Sequence, residues 1–237
     1  MSKKEEFKQN ELYMDAVPIN FYETFPCKIQ CDANYFPNLN YEFGRVGVLG
    51  DGSCFFHSSS MCLFPEYYSF SNVERKYFVL RLRERLGDMF TPEEHDLLHS
   101  QTKYPFKKRE YQSLKKAWPQ LSSWADESMI RFFSKKFKVN ILFINFNTKN
   151  ASFYCGVHGD ESIDTKNLEN SVWFTLPTFM IAWINGSHFE PICMKDTEHN
   201  VYRFLFDPLH KNDKIRTMNR KIIKAIQEKY SCECLQN

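Results

Sequence analysis

From Ser71 to Phe137 the apolar residues recur at helical intervals, and from Val139 to Phe206 they come as short β-rich runs. A block of helices followed by a block of strands confines the chain to an α+β layout, since alternating βαβ units would interleave the two patterns. Ser71-Asn72-Val73-Glu74 has capping-box spacing, and Tyr77, Phe78, Leu82, Leu86 and Met89 follow it at helical spacing. Thr91-Pro92-Glu93-Glu94 is a second start, with proline at the first helical position. The basic stretch 106–117 predicts a further helix. Ser122 to Glu127 reads as the capped start of another, carrying Met129, Ile130, Phe133 and Phe137. Strands are expected over Val139–Ile144, Ala151–Val157, Val172–Leu176, Phe179–Ile184, His188–Met194 and Val201–Phe206, divided by Gly, Asn, Asp and Pro signals.

The ends have another character. Residues 1–43 read as an N-terminal extension. Met1 to Glu11 is charged and polar, without the apolar core of a signal peptide, and Pro18, Pro26 and Pro37 punctuate an irregular remainder. Residues 208–237 form a basic tail. Within it Ile215, Met218, Ile222, Ile223 and Ile226 share one helical face and basic residues take the other. Such a stripe suits an anionic membrane or RNA, but its alternation fits a helix docked on its own domain better. The main unit is therefore expected over 44–207.

Charge and cysteine usage narrow the function classes. Thirty-one basic residues against 29 acidic ones leave a net charge of +2, so bulk electrostatics favour no nucleic-acid partner. The apolar runs Ile141–Ile144 and Phe179–Ile184 are far short of a membrane span, and a soluble intracellular protein is expected. The eight cysteines are scattered, and the close pairs Cys27/Cys31 and Cys232/Cys234 lack zinc-knuckle spacing. Free thiols without a bound metal are the expectation.

One of those thiols stands out. In Asp51-Gly52-Ser53-Cys54-Phe55-Phe56 a tight glycine turn delivers Cys54 to the first turn of a helix, where unpaired backbone N–H groups favour a thiolate. Far downstream lies His188-Phe189-Glu190. Alternation along a strand puts His188 and Glu190 on one side, where a carboxylate can hold one imidazole nitrogen while the other faces a thiol. The turn Asn185-Gly186-Ser187 places the histidine at a strand start. His57, one helical turn after Cys54, is a rival base with no evident orienting group, and packing beside the site suits it better. A nucleotide-binding reading of Gly50-Asp51-Gly52 fails, because Phe55 stands at the third fingerprint position and no Gly-Lys-Ser/Thr is present.

Asp51-Gly52-Ser53-Cys54-Phe55-Phe56-His57-Ser58 resembles the Asp-Gly-x-Cys nucleophile motif of the ovarian-tumour (OTU) family of cysteine proteases. His188-Phe189-Glu190 is similar to that family's His-aromatic-(Asp/Asn) strand, and Trp124 through Phe137, then Val139 to Ile144, to its Trp-led helix and following strand. The resemblance covers about residues 44–207. It implies a papain-like OTU fold in which a helical block packs on a small, mostly antiparallel sheet, with the C-terminal amphipathic helix outside it.

The resemblance also implies a deubiquitinase that cuts the isopeptide bond after the C-terminal Gly-Gly of ubiquitin. Cys54 would be the nucleophile, His188 the general base and acid, and Glu190 the orienting carboxylate. Asp51 would belong to the catalytic set, and backbone N–H groups of Asp51, Gly52 and Cys54 would form the oxyanion hole. Asn185 is a fallback orienter, and Trp183 and Phe189 are candidate walls for the Gly-Gly channel or core residues. No metal or organic cofactor is implied. Expected partners are ubiquitin, polyubiquitin chains and ubiquitin-like modifiers, with the chain a monomer in the cytoplasm. Phe, Lys and Asn richness matches an A/T-biased genome, and some family members are viral, so the host cytosol is the viral version of that expectation. Glu190 departs from the family pattern, and Pro191 beside it predicts weakened pairing with the neighbouring strand. The alternatives are an inactive OTU-fold module that binds ubiquitin or another protein, and a thiol enzyme with a different substrate.

Overall fold

The computed structural model describes residues 16–19, 29–30, 41–99, 108–145, 151–154, 156 and 174–230. Met1 to Glu11 and the pairs Cys27/Cys31 and Cys232/Cys234 lie outside them. Of the expected strand Val172–Leu176, residues 172–173 also lie outside them, and 174–176 form a tight turn ahead of Pro177 instead.

The helical block follows its local signals. Helix α1 (Cys54–Leu63) starts at the cysteine and is buried along its whole length. After a 3-10 turn at Pro65–Ser69 comes α2 (Asn72–Met89), whose capping box is complete. The Ser71 hydroxyl accepts from the Glu74 N–H at 3.4 Å, and the Glu74 carboxylate accepts from the Ser71 N–H at 2.7 Å. Helices α3 (Pro92–His99) and α4 (Lys108–Ala117) follow. In α5 (Glu127–Phe137) Asp126 is the N-cap, accepting from the Met129 N–H at 2.9 Å.

The strands are β1 (Val17–Pro18), β2 (Ile29–Gln30), β3 (Glu42–Val46), β4 (Asn140–Asn145), β5 (Ala151–Tyr154), β6 (Thr178–Ile184), β7 (His188–Asp196), β8 (Val201–Arg203) and β9 (Leu205–Phe206). They form one sheet, mostly antiparallel, with the order β1-β8-β7-β6-β4-β5 and with β2, β3 and β9 joined at its sides. The β4–β6 pair is parallel. Residues of the N-terminal extension enter this sheet, since Val17 pairs with Tyr202 and Ile29 with Val46.

Each face of the sheet has its own core. Phe143, Phe179, Ile181 and Cys193 face the helical block with Phe55, Phe56, Phe132, Phe133 and Trp118. Leu142, Met180, Ile192 and Met194 face the last helix, α6 (Asp213–Tyr230), through Ile222, Ile223 and Ile226. The C-terminal amphipathic helix is thus docked on its own sheet, as its alternation predicts. No helix among the described residues is long and apolar enough to cross a membrane.

Candidate active site

Cys54 opens α1 with Ser53 as the N-cap residue, and the loop before it is tied down at every step. Asp51 Oδ1 accepts from the Ser53 N–H at 3.0 Å. Gly52 has φ +89°, and a Cβ there would lie 2.7 Å from the Ser122 carbonyl oxygen, so only glycine fits both the backbone and the space. The Ser53 hydroxyl donates to the Leu121 carbonyl at 2.7 Å and accepts from Arg83 Nη1 at 2.8 Å. Arg83 is fully buried. Its remaining N–H groups donate to the carbonyls of Ala117, Trp118 and Ser123 at 2.7–2.9 Å, and its guanidinium lies 4.6 Å from the Phe56 ring centroid. Burial lowers the Arg83 pKa to about 10, with the Asp51 carboxylate acting in the opposite sense. Sequence reasoning missed this arginine, whose partners lie 30 to 40 positions away.

The sulfur of Cys54 faces the backbone N–H groups of Phe189, Phe55 and Cys54 itself. Their donation lowers the thiol pKa. Burial is the larger effect and the Asp51 charge adds to it, so the pKa is raised above that of a free thiol. The expectation that the helix N-terminus favours a thiolate is therefore corrected: with Cys54 only 5% exposed, desolvation outweighs the N–H groups. Cys62, two turns along the same helix, is sealed in the core and its thiol is pushed much higher by burial.

Phe189 brings the second half of the site to the cysteine. Beyond Ile192, where pairing with Arg45 ends the β3 ladder, the edge of β7 is open to α1. There the Phe189 N–H faces the Cys54 sulfur, and its carbonyl accepts from the Ser58 hydroxyl at 3.0 Å. Since both polar groups point outward, Phe189 is a non-hydrogen-bonded position of the β6–β7 ladder, where it opposes Trp183. Pro191 shares that parity. Its missing N–H therefore points away from β6 and toward the β3 side, where the ladder stops at Ile192, so local pairing is weaker there, as the sequence suggests, while the β6 side keeps its register.

His188 and Glu190 emerge together on the face opposite Phe189, in register with Ile184 and Ala182. His188 Nε2 lies 3.8 Å from Glu190 Oε1, which leaves Nδ1 as the ring nitrogen turned from the carboxylate. The second Glu190 oxygen, Oε2, accepts from Arg45 Nη1 at 2.8 Å. No sequence signal singled out Arg45. Ahead of His188, Asn185 (φ 50°) and Gly186 (φ 69°) form a left-handed turn closed by the Ser187 N–H on the Ile184 carbonyl at 3.1 Å. Asn185 is exposed there, and its part in the structure is the turn.

Asp51 and His57 meet each other. Asp51 Oδ2 lies 3.2 Å from His57 Nε2, and the Tyr67 hydroxyl lies 2.6 Å from His57 Nδ1. A neutral imidazole with its proton on Nε2 satisfies both contacts, and burial lowers its pKa despite the nearby carboxylate. His57 thus does have orienting groups, contrary to the sequence reading. With both nitrogens engaged it packs beside the site. The aromatic residues flanking the cysteine are graded in exposure. Phe189 is half-buried, with ring centroids 5.3 Å from Phe143 and 6.5 Å from Phe55, while Trp183 is 36% exposed and 6.0 Å from Phe189. Among the described residues no cluster of three or more His, Cys, Asp or Glu could hold a metal ion.

No protein-family model matches the chain, and no curated protein matches it. Solved structures with similarity to it are OTU domains. One is an ovarian tumor (OTU) domain in complex with ubiquitin, 14% identical, with 86% of this chain and 96% of that one covered and a TM-score of 0.44. Another is the Hazara virus OTU bound to ubiquitin, 14% identical, covering 75% of this chain and 99% of that one at a TM-score of 0.42. A third is the viral OTU domain protease from Dera Ghazi Khan virus, 15% identical, covering 72% and 97% at a TM-score of 0.40.

Proposed function

We propose that this protein is an OTU-like cysteine protease that hydrolyses the isopeptide bond after the C-terminal Gly-Gly of ubiquitin. Cys54 is the nucleophile, His188 the base and acid, and Glu190 the carboxylate that orients the imidazole. The observation that carries this reading is the 3.0 Å hydrogen bond from the Ser58 hydroxyl, one helical turn after Cys54, to the carbonyl of Phe189, the residue after His188. It draws two motifs far apart in sequence to one edge of the sheet.

The sulfur rests as a thiol, so His188 takes its proton as the scissile carbonyl is attacked. A tetrahedral oxyanion forms beside the Asp51–Cys54 loop, where backbone N–H groups of Asp51, Gly52 and Cys54 stabilise it. His188 protonates the departing lysine amine, and water then cleaves the thioester. The Asp51 side chain holds this loop through Ser53 and His57. The half-buried Phe189 and the exposed Trp183 wall the approach to the cysteine. Residues 44–207 form the catalytic unit, to which the extension adds β1 and β2 and the tail adds α6. The protein acts as a monomer in the cytoplasm on ubiquitin chains and ubiquitin-like modifiers.

Ubiquitin bearing a C-terminal electrophile tests this directly. The wild type is expected to gain one ubiquitin covalently, Cys62→Ala to do the same, and Cys54→Ala not to react. Labelling that persists in Cys54→Ala, or its absence from the wild type, overturns the assignment. The sealed thiol favours one second reading, a catalytically weak module that binds ubiquitin, for which binding without labelling is the signature.

A further inference from the structure

Resting on that reading, we propose that Arg45 is a positioning residue of the active site, holding Glu190 in the orientation that serves His188. The antiparallel register pairs Arg45 with Ile192. Paired residues project to the same face, and Glu190 is two residues before Ile192, so Arg45 reaches it diagonally across the end of the β3–β7 ladder. The result is a 2.8 Å ion pair whose two side chains are each 13% exposed.

A glutamate at this position needs such a partner. Its side chain has one more rotatable bond than the aspartate or asparagine of the motif it resembles. Fixing a glutamate in one rotamer costs more side-chain entropy than fixing the shorter side chain. The guanidinium holds Oε2, and with that oxygen fixed Oε1 stands 3.8 Å from His188 Nε2. A planar guanidinium restrains a carboxylate in direction as well as position, which an ammonium does less well. Arg45 acts through Glu190, whose Oε2 it holds. The Glu190 departure and Arg45 are therefore one arrangement: a longer carboxylate, anchored from the neighbouring strand.

Steady-state cleavage of a ubiquitin substrate, read as a double-mutant cycle, tests this. Arg45→Met is expected to lower kcat about tenfold with KM within about twofold, as for a misoriented catalytic group. Arg45→Lys is expected to recover part of that loss. In a Glu190→Ala background, Arg45→Met is expected to add less than about a twofold further loss, because the group it acts through is gone. Equal losses in both backgrounds, or a kcat within twofold of wild type in Arg45→Met, would overturn the proposal. If Arg45→Met does not fold, Arg45→Gln in the same two backgrounds answers the same question. A wild type that fails to react with the ubiquitin electrophile sinks the protease reading itself, whereas an active wild type indifferent to Arg45 sinks this inference alone.

Discussion

The Ser58 hydroxyl donates to the Phe189 carbonyl at 3.0 Å, one turn of helix after Cys54 and one residue after His188. This bond fastens the backbone of Phe189 to the helix that Cys54 opens. It ties the segment that carries Cys54 to the strand that carries His188.

Ser58→Ala leaves the Phe189 carbonyl without this donor at a position shielded by α1. A lost buried hydrogen bond of this kind is worth about 1–2 kcal/mol, which urea denaturation reads as a lower midpoint at unchanged slope. Turnover is expected to fall severalfold, and a variant with wild-type stability and turnover would show that the helix–strand clamp lies elsewhere.

Gly52→Ala tests the loop. The new methyl meets the Ser122 backbone at a φ of +89°, so either the 51–53 loop or the 121–123 segment must move. Destabilisation of about 1–3 kcal/mol is expected. Electrophile labelling should slow far more than that loss of folded population explains.

Arg83→Met removes a cation that bonds the Ser53 hydroxyl and the carbonyls of Ala117, Trp118 and Ser123. Methionine fills much of the volume but leaves those acceptors unsatisfied, at a cost of about 3–5 kcal/mol. Calorimetry is expected to show a large drop in Tm. A destabilisation smaller than about 1 kcal/mol would mean that the segment is held by other contacts.

The raised Cys54 pKa has a sign that alkylation can read. Burial favours the neutral thiol, so the thiolate fraction is small at neutral pH and grows as pH rises past that of an ordinary cysteine. The iodoacetamide rate at Cys54, followed by mass spectrometry, is expected to climb steadily into the alkaline range. A plateau already reached below pH 7 would identify a preformed thiolate. Cys62 should remain unmodified throughout in the folded protein.

Much of the helical block was legible because its signals are local. Ser71 with Glu74, and Asp126 with the Met129 N–H, act over three residues, and the structure reproduces them. The strand period likewise put His188 and Glu190 on one face, and Asn185-Gly186 marked the turn before them. What the sequence hid depends on contacts between distant segments. Arg45 and Arg83 look like ordinary surface cations until the sheet and the helical block bring acceptors to them. His57 looked unsupported because its two partners, Asp51 and Tyr67, come from a turn and a 3-10 segment on either side of α1. That Pro191 weakens pairing on the β3 side and not on the β6 side follows only from knowing its parity in the sheet.

Through Arg83, the loop before Cys54 shares one guanidinium with the segment that leaves α4. That loop is therefore expected to lose its shape in the same step that loosens the helices under heat or denaturant.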